Sequence, residues 1–290
     1  MPVQYETGPN VSMLAVTVIW GMTFVAIKKL FVEISPGNII FFRLLAAGGL
    51  LPVISLFQNT KVSRKDFLHL CLLGGIGVTA YQLLWIYALK YTSVVNASII
   101  LYSAPLFTIL FSTLLGRDRL KTDRLLAVLG GFVGVWIVII YGKPAITVHS
   151  FRGDLLAMTG AVVWSIYALL SKPLLSRHSP FKVASYSIIT GSVLFCPFVP
   201  FLFNGSEFAE LSFTGWFALV FTVLFSVIIA FLLWYRGMNR IGPVRALTYQ
   251  YLVPVFSTLF AVILLKEPLC VPQIAGGLMV CGSIALARKL

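Results

Sequence analysis

Of the chain's 290 residues, 59% are hydrophobic and only 11% are charged, against about a quarter charged in an ordinary soluble domain. So much apolar side chain cannot be hidden in one aqueous core, and lipid must be its solvent. The formal net charge of +13 invites a nucleic-acid reading, but Lys and Arg sit singly or in small groups between apolar runs, without a basic groove interleaved with aromatics; the bilayer, not nucleic acid, is the expected partner.

The opening residues, MPVQYETGPN, lack a basic n-region, so the apolar run that follows is not read as a cleaved signal peptide. Crossing a ~30 Å hydrocarbon layer takes about 20 helical residues. Apolar stretches of that order fall at 12–31, 37–57, 67–89, 93–115, 124–141, 154–172, 181–203, 214–235, 242–265 and 272–288. These are spans one to ten. The connections are short and polar, as in QNTKVSRKD, GRDRLKTD and NGSEFAELS, and none is long enough for a domain outside the membrane.

Alternate connections differ in basic content. The side holding both termini carries fourteen Lys and Arg, from Lys61, Arg64 and Lys65 through Arg117, Arg119 and Lys121 to Arg288 and Lys289. The opposite side carries six: Lys28, Lys29, Lys90, Lys143, Arg152 and Lys266. The positive-inside rule then puts both termini in the cytoplasm. The last two, Arg43 and Arg245, fall inside spans.

One stretch is written twice. ALKYTSVVNASIILYSAPLFTILFSTLLGRDRL, from Ala88, returns 149 residues later as GMNRIGPVRALTYQYLVPVFSTLFAVILLKEPL. Tyr102 meets Tyr251, Pro105 meets Pro254, and Arg117-Asp118 meets Lys266-Glu267. Leu83-Leu84-Trp85 likewise matches Leu232-Leu233-Trp234. The copies lie five spans apart, and an odd number per copy inserts the second half from the opposite side. The expected fold is all-α and membrane-integral, with two inverted five-helix repeats. Residues 1–11 form a cytoplasmic tail, 12–141 the first repeat, 142–153 an external connecting loop, and 154–288 the second repeat. Many secondary transporters are built this way, with substrate near the midplane between the halves.

The segments VIWGMTFVAIKKL, FFRLLAAGGLL, YALKYTSVVNASIILYSAPLFTILF, GDLLAMTGAVVWSIYALLSK and LKEPLCVPQIAGGLMVCG resemble, in order, those of the drug/metabolite transporter superfamily, EamA type. The resemblance implies ten helices, cytoplasmic ends and a central cavity lined by spans one, three, four, six, eight and nine, with five and ten peripheral. One departure is visible. Where the fourth span of that family usually ends in Gly-Glu, this chain has Gly116-Arg117-Asp118.

Against that frame, polar and aromatic residues at helical spacing are the candidate substrate contacts. They are Trp20 and Thr23 in span one; Tyr81, Gln82 and Trp85 in span three; and Asn96, Tyr102 and Ser103 in span four. Span six offers Trp164 and Tyr167, and span nine Arg245, Thr248, Tyr249 and Gln250. Arg245 either holds a substrate carboxylate or phosphate or faces lipid headgroups. Arg43, roughly 9 Å below the external end of span two by helical rise, is read as a structural tie. Pro105 and Pro254 are expected to kink their spans, as fixed bends or as gate hinges.

All nine carboxylates lie in tails, loops or span ends, which disfavours a buried acid as a proton relay. Asp154 in RGDLLAM reads as a helix N-cap. Cys71, Cys196, Cys270 and Cys281 have neither metal-ligand nor C-x-x-C spacing, and no metal or cofactor is expected. The histidines are isolated and no catalytic motif occurs, so a membrane-embedded enzyme has little behind it. A channel would need a filter loop or a charged pore ring, which is not seen. The favoured function is alternating-access export or exchange of small polar metabolites, amino acids or related compounds, across a cytoplasmic membrane such as the bacterial inner membrane. A nucleoside-type metabolite such as S-adenosylmethionine is the alternative cargo. The sequence leaves the oligomeric state open.

Overall fold

The computed structural model describes residues 11–55, 62–116, 122–142, 147–230 and 249–289, together with 233, 234, 237 and 240. Its regular structure is entirely helical. Five helical stretches are long and apolar enough to cross a membrane by themselves: Val11–Leu30, Arg64–Tyr91, Val94–Leu114, Val148–Leu175 and Phe181–Leu202. Shorter apolar helices at Pro36–Pro52, Leu125–Tyr141, Phe213–Ile229, Leu252–Leu265 and Val271–Leu286 occupy the other five expected spans.

Four spans begin on a serine. Ser63, Ser93, Ser179 and Ser212 each accept a hydrogen bond from the backbone N–H three residues on. A helix entering lipid leaves its first N–H groups unpaired, and a short hydroxyl side chain satisfies one of them. Asp154 does not have this role. Its helix starts at Val148, inside the stretch expected to be a loop, and the start is organised by reciprocal bonds between Thr147 and Ser150. Asp154 lies within the helix, fully buried, and accepts a 2.6 Å bond from the Thr92 hydroxyl.

Two irregularities recur in both halves. Spans three and eight, whose capping serines Ser63 and Ser212 are 149 residues apart, both widen into π-helix, at Gly74–Ala80 and Leu224–Ile229. Spans four and nine are interrupted. In span four the helix ends at Leu101, turns through Tyr102 and Ser103, and resumes at Ala104–Leu114 with Pro105 as its second residue. In span nine, Gln250 and Tyr251 form a turn before Leu252–Phe260, where Pro254 is the third residue. The prolines thus begin new helical segments rather than kinking continuous ones. The first positions of a helix have no carbonyl partner for an N–H, so proline is tolerated there.

The packing of the halves is reciprocal. Span one lies against spans eight and nine, and span six against spans three and four. Spans two and seven, four and nine, and five and ten pack on one another. Spans five and ten approach backbone to backbone. A Cβ built on Gly134 would stand 2.7 Å from the Gly276 carbonyl oxygen, and one on Gly276 would stand 2.6 Å from that of Gly134. Backbone contact this close needs glycine on both sides. Hydroxyls supply further ties: Thr79 donates to Gly191 O at 2.7 Å, and Ser192 to Leu44 O at 2.9 Å. Outward faces remain apolar, with Trp136, Phe213, Phe217 and Leu278 more than half exposed, as a lipid-facing surface requires.

Polar contacts gather at one end of the bundle. Glu33 accepts from Ser212, and Glu207 accepts from Ser35 N and from the Asn38 amide. Partial burial alone would raise the Glu207 carboxyl, but these donors outweigh it and hold the group below its ordinary value. At the same end Lys28 donates to the Leu89 and Thr92 carbonyls at 2.7 and 2.6 Å, where a cation complements a helix C-terminus. Glu267 caps the start of span four, accepting from Val94 N at 3.1 and 3.0 Å. The opposite end is tied by Asp66 to Arg177 and His178, at 2.9 and 3.0 Å.

Candidate functional site

Between the halves lies a cavity of about 530 Å³, within the roughly 300–1,000 Å³ usual for small-molecule sites. Spans one, three and four contribute Trp20, Thr23, Tyr81, Gln82, Trp85, Tyr102 and Pro105; span six contributes Trp164 and span nine Gln250. All but Pro105, expected as a kink, were expected as contacts at such a site. Spans two and seven also reach it, through Arg43, Leu44, Ala47 and Ile188, which the sequence reading did not anticipate. Spans five and ten contribute nothing to its wall among the described residues.

The wall is largely apolar, with six aromatic rings. Tyr81 and Trp164 lie 4.8 Å apart between ring centroids, Phe24 and Trp85 5.5 Å, and Phe24 and Tyr102 6.3 Å. Several of its polar groups are aimed by their partners. Trp20 Nε1 donates to Ser226 O at 3.2 Å, and Arg43 Nη1 donates to Thr222 O at 2.9 Å. Both acceptors sit in or beside the π segment of span eight. A π turn shifts the backbone ladder by one residue and frees carbonyls that an unbroken α-helix would occupy. Trp85 Nε1 donates to Gln82 Oε1, which fixes the amide with its nitrogen unused by any described residue. The Trp85 ring carries the Arg43 guanidinium 5.5 Å from its centroid.

Other expected contacts lie elsewhere. Asn96 is buried away from the cavity, donating to Val138 O at 3.3 Å and accepting from Gln273 Nε2 at 2.7 Å; it ties span four to spans five and ten. The Ser103 hydroxyl turns back onto Ile100 O at 2.6 Å. Helical spacing put Asn96 and Ser103 on one face, but the turn at Tyr102–Ser103 breaks that register. Tyr167 packs behind the wall, where its ring fills the space a Cβ would need at Gly77. Tyr249 packs beside Met13, Val16, Ala230 and Trp234. Arg245 and Thr248 lie outside the described residues. Arg43, read from the sequence as a structural tie, does join span two to the Thr222 carbonyl of span eight and also lines the cavity.

An all-helical bundle with an apolar exterior, several membrane-span candidates and a largely apolar cavity between similar halves defines a multi-pass membrane protein with a candidate small-molecule site. The sequence matches the EamA-like transporter family over residues 9–140 and 151–288. The chain belongs to that family, which is one of transporters and not of enzymes. It is 30% identical to an uncharacterised transporter of Archaeoglobus fulgidus, over 96% of this chain and 98% of that one. Identity is 23% to the inner membrane transporter YicL of Salmonella typhimurium, over 95% and 93%. It is 24% to a probable terminal-alkyne amino-acid exporter of Streptantibioticus cattleyicolor, over 96% and 93%. A protein of known crystal structure shares the fold, with a TM-score of 0.67 at 20% identity, covering 97% of this chain and 96% of that one.

Proposed function

We propose that the protein is a secondary transporter that moves small polar organic metabolites, amino acids or close relatives, across the cytoplasmic membrane by alternating access, as an exporter or exchanger. The observation that carries this reading is the cavity, walled by residues from both halves and by few polar groups. The probable terminal-alkyne amino-acid exporter among its relatives supports the cargo class. Trp20, Thr23, Tyr81, Gln82, Trp85, Tyr102, Trp164 and Gln250 are the proposed substrate contacts. The reciprocal packing of spans supports two inverted five-helix repeats, with the broken spans four and nine as the moving elements.

The expected behaviour is saturable counterflow. Proteoliposomes preloaded with an unlabelled L-amino acid should take up the labelled form faster than empty ones. Flux that neither saturates nor responds to preloading would reject a carrier mechanism. For orientation, the distribution of Lys and Arg supports cytoplasmic termini. A cysteine replacing Ser206 in a cysteine-free background should react with an impermeant maleimide from outside. One replacing Thr122 should react only after the membrane is opened. The opposite pattern would invert the assignment.

A further inference from the structure

We infer that Arg43 is the anion-holding residue of the cavity and that it binds a carboxylate of the substrate; this rests on the transport reading and narrows its cargo to organic acids and amino acids. An arginine carries five N–H donors and stays protonated in proteins. Arg43 is only 4% exposed, and one donor is engaged, Nη1 on the Thr222 carbonyl. Its Nε is buried and makes no hydrogen bond among the described residues. No described carboxylate stands within ion-pair distance of it.

A helix tie to one carbonyl does not require a permanent charge; a glutamine amide would serve. Nor does Arg43 reach the headgroups, because it lines the central cavity and sits over the face of Trp85. That contact offsets only part of what the cation loses in leaving water. The cavity wall holds Arg43 as its one charged side chain among the described residues, so the protein side of the chamber carries an unbalanced positive charge in a medium of low dielectric.

The partner that removes the imbalance is a single negative charge of planar, two-oxygen shape. A carboxylate fits the guanidinium fork. The amide nitrogen of Gln82 adds a donor nearby, since Trp85 both lies beneath Arg43 and holds the Gln82 oxygen. The aromatic remainder suits an apolar or aromatic body on the acid. A phosphate dianion would exchange one unbalanced charge for another, and a cationic cargo would meet only repulsion from Arg43.

The test compares acids with their amides. Purified full-length protein is titrated with the proteinogenic L-amino acids and their 2-oxo acids, and with the corresponding carboxamides, by calorimetry. At least one acid should bind, and its amide should bind at least tenfold more weakly. In Arg43→Gln, affinity for that acid should fall by about ten- to a hundredfold, the loss expected for one charge-assisted contact, with its amide unaffected. Arg43→Lys should lie between. The inference is overturned if no acid binds, if acid and amide bind alike, or if Arg43→Gln weakens both equally. Should the variants fail to fold, the acid-to-amide ratio of the wild-type protein decides alone. Counterflow separates this inference from the transport reading. Exchange of amides or nucleosides but not acids would reject the carboxylate and keep the carrier. Binding of acids without any exchange would do the reverse.

Discussion

Replacing Gly276 with leucine is expected to lower the stability of the protein by about 3 kcal/mol, the upper end of ordinary overpacking costs. A Cβ at this position meets the Gly134 carbonyl oxygen and Val138 Cγ2, each at 2.6 Å. Backbone cannot swing aside as a long side chain can, so spans five and ten must separate. Gly134→Leu should be equally damaging, because its Cβ would stand 2.7 Å from Gly276 O and 2.9 Å from Met279 Cβ. The double variant should cost little more than the worse single one, since both break the same contact. Gly282 is the control: it lies on the same helix with open space around it. Gly282→Ala should be neutral or stabilising by up to about 1 kcal/mol through helix propensity. Thermal melts in detergent measure all four variants. Equal melting of Gly276→Leu and Gly282→Ala would mean that the five–ten contact does not hold the bundle together.

The existence and order of the spans were legible because membrane thickness fixes a length, and a run of about 20 apolar residues is visible without knowledge of neighbours. The repeat was legible too, most of all where Pro105 and Pro254 marked matching places. The interior of a span was less so. Nothing in the hydropathy of Leu224–Ile229 separates a π turn from an α turn, since both are apolar throughout, and the glycines of Gly74-Gly75-Ile76-Gly77 in span three are as compatible with close helix packing as with a π turn.

The cavity was legible where residues sit on unbroken helix. Tyr81, Gln82 and Trp85, all on Tyr81–Tyr91, reach it together as their spacing predicts. Asn96 and Ser103 do not, because the intervening turn changes the phase and because a buried amide finds its partner on whichever neighbour offers one, here Gln273. Arg43 was less legible for a different reason. A lone arginine in a span looks the same in sequence whether it snorkels, ties helices or faces a chamber; only the neighbours from spans three and eight, Trp85 and Thr222, distinguish these.

Those matched prolines should govern motion more than folding. Pro105→Ala and Pro254→Ala are both expected to fold, because each proline occupies an early helical position whose N–H has no required partner. Alanine, however, offers an N–H that a continuous helix would use. Residue 105 could then pair with the Leu101 carbonyl, and residue 254 with that of Gln250, closing the two breaks. A helical hydrogen bond contributes roughly 0.5–1.5 kcal/mol, so each substitution should favour a straight span by about 1 kcal/mol, or about fivefold. The double variant should then carry a bias of about 2 kcal/mol, and transport should drop by roughly thirtyfold. Substrate binding should persist in both single variants. Pro105 lines the cavity and Pro254 does not. A loss of transport in Pro254→Ala therefore cannot be assigned to a missing contact with cargo. If both single variants and the double one exchange substrate at the wild-type rate, the breaks in spans four and nine only shape the chamber, and the gates lie elsewhere.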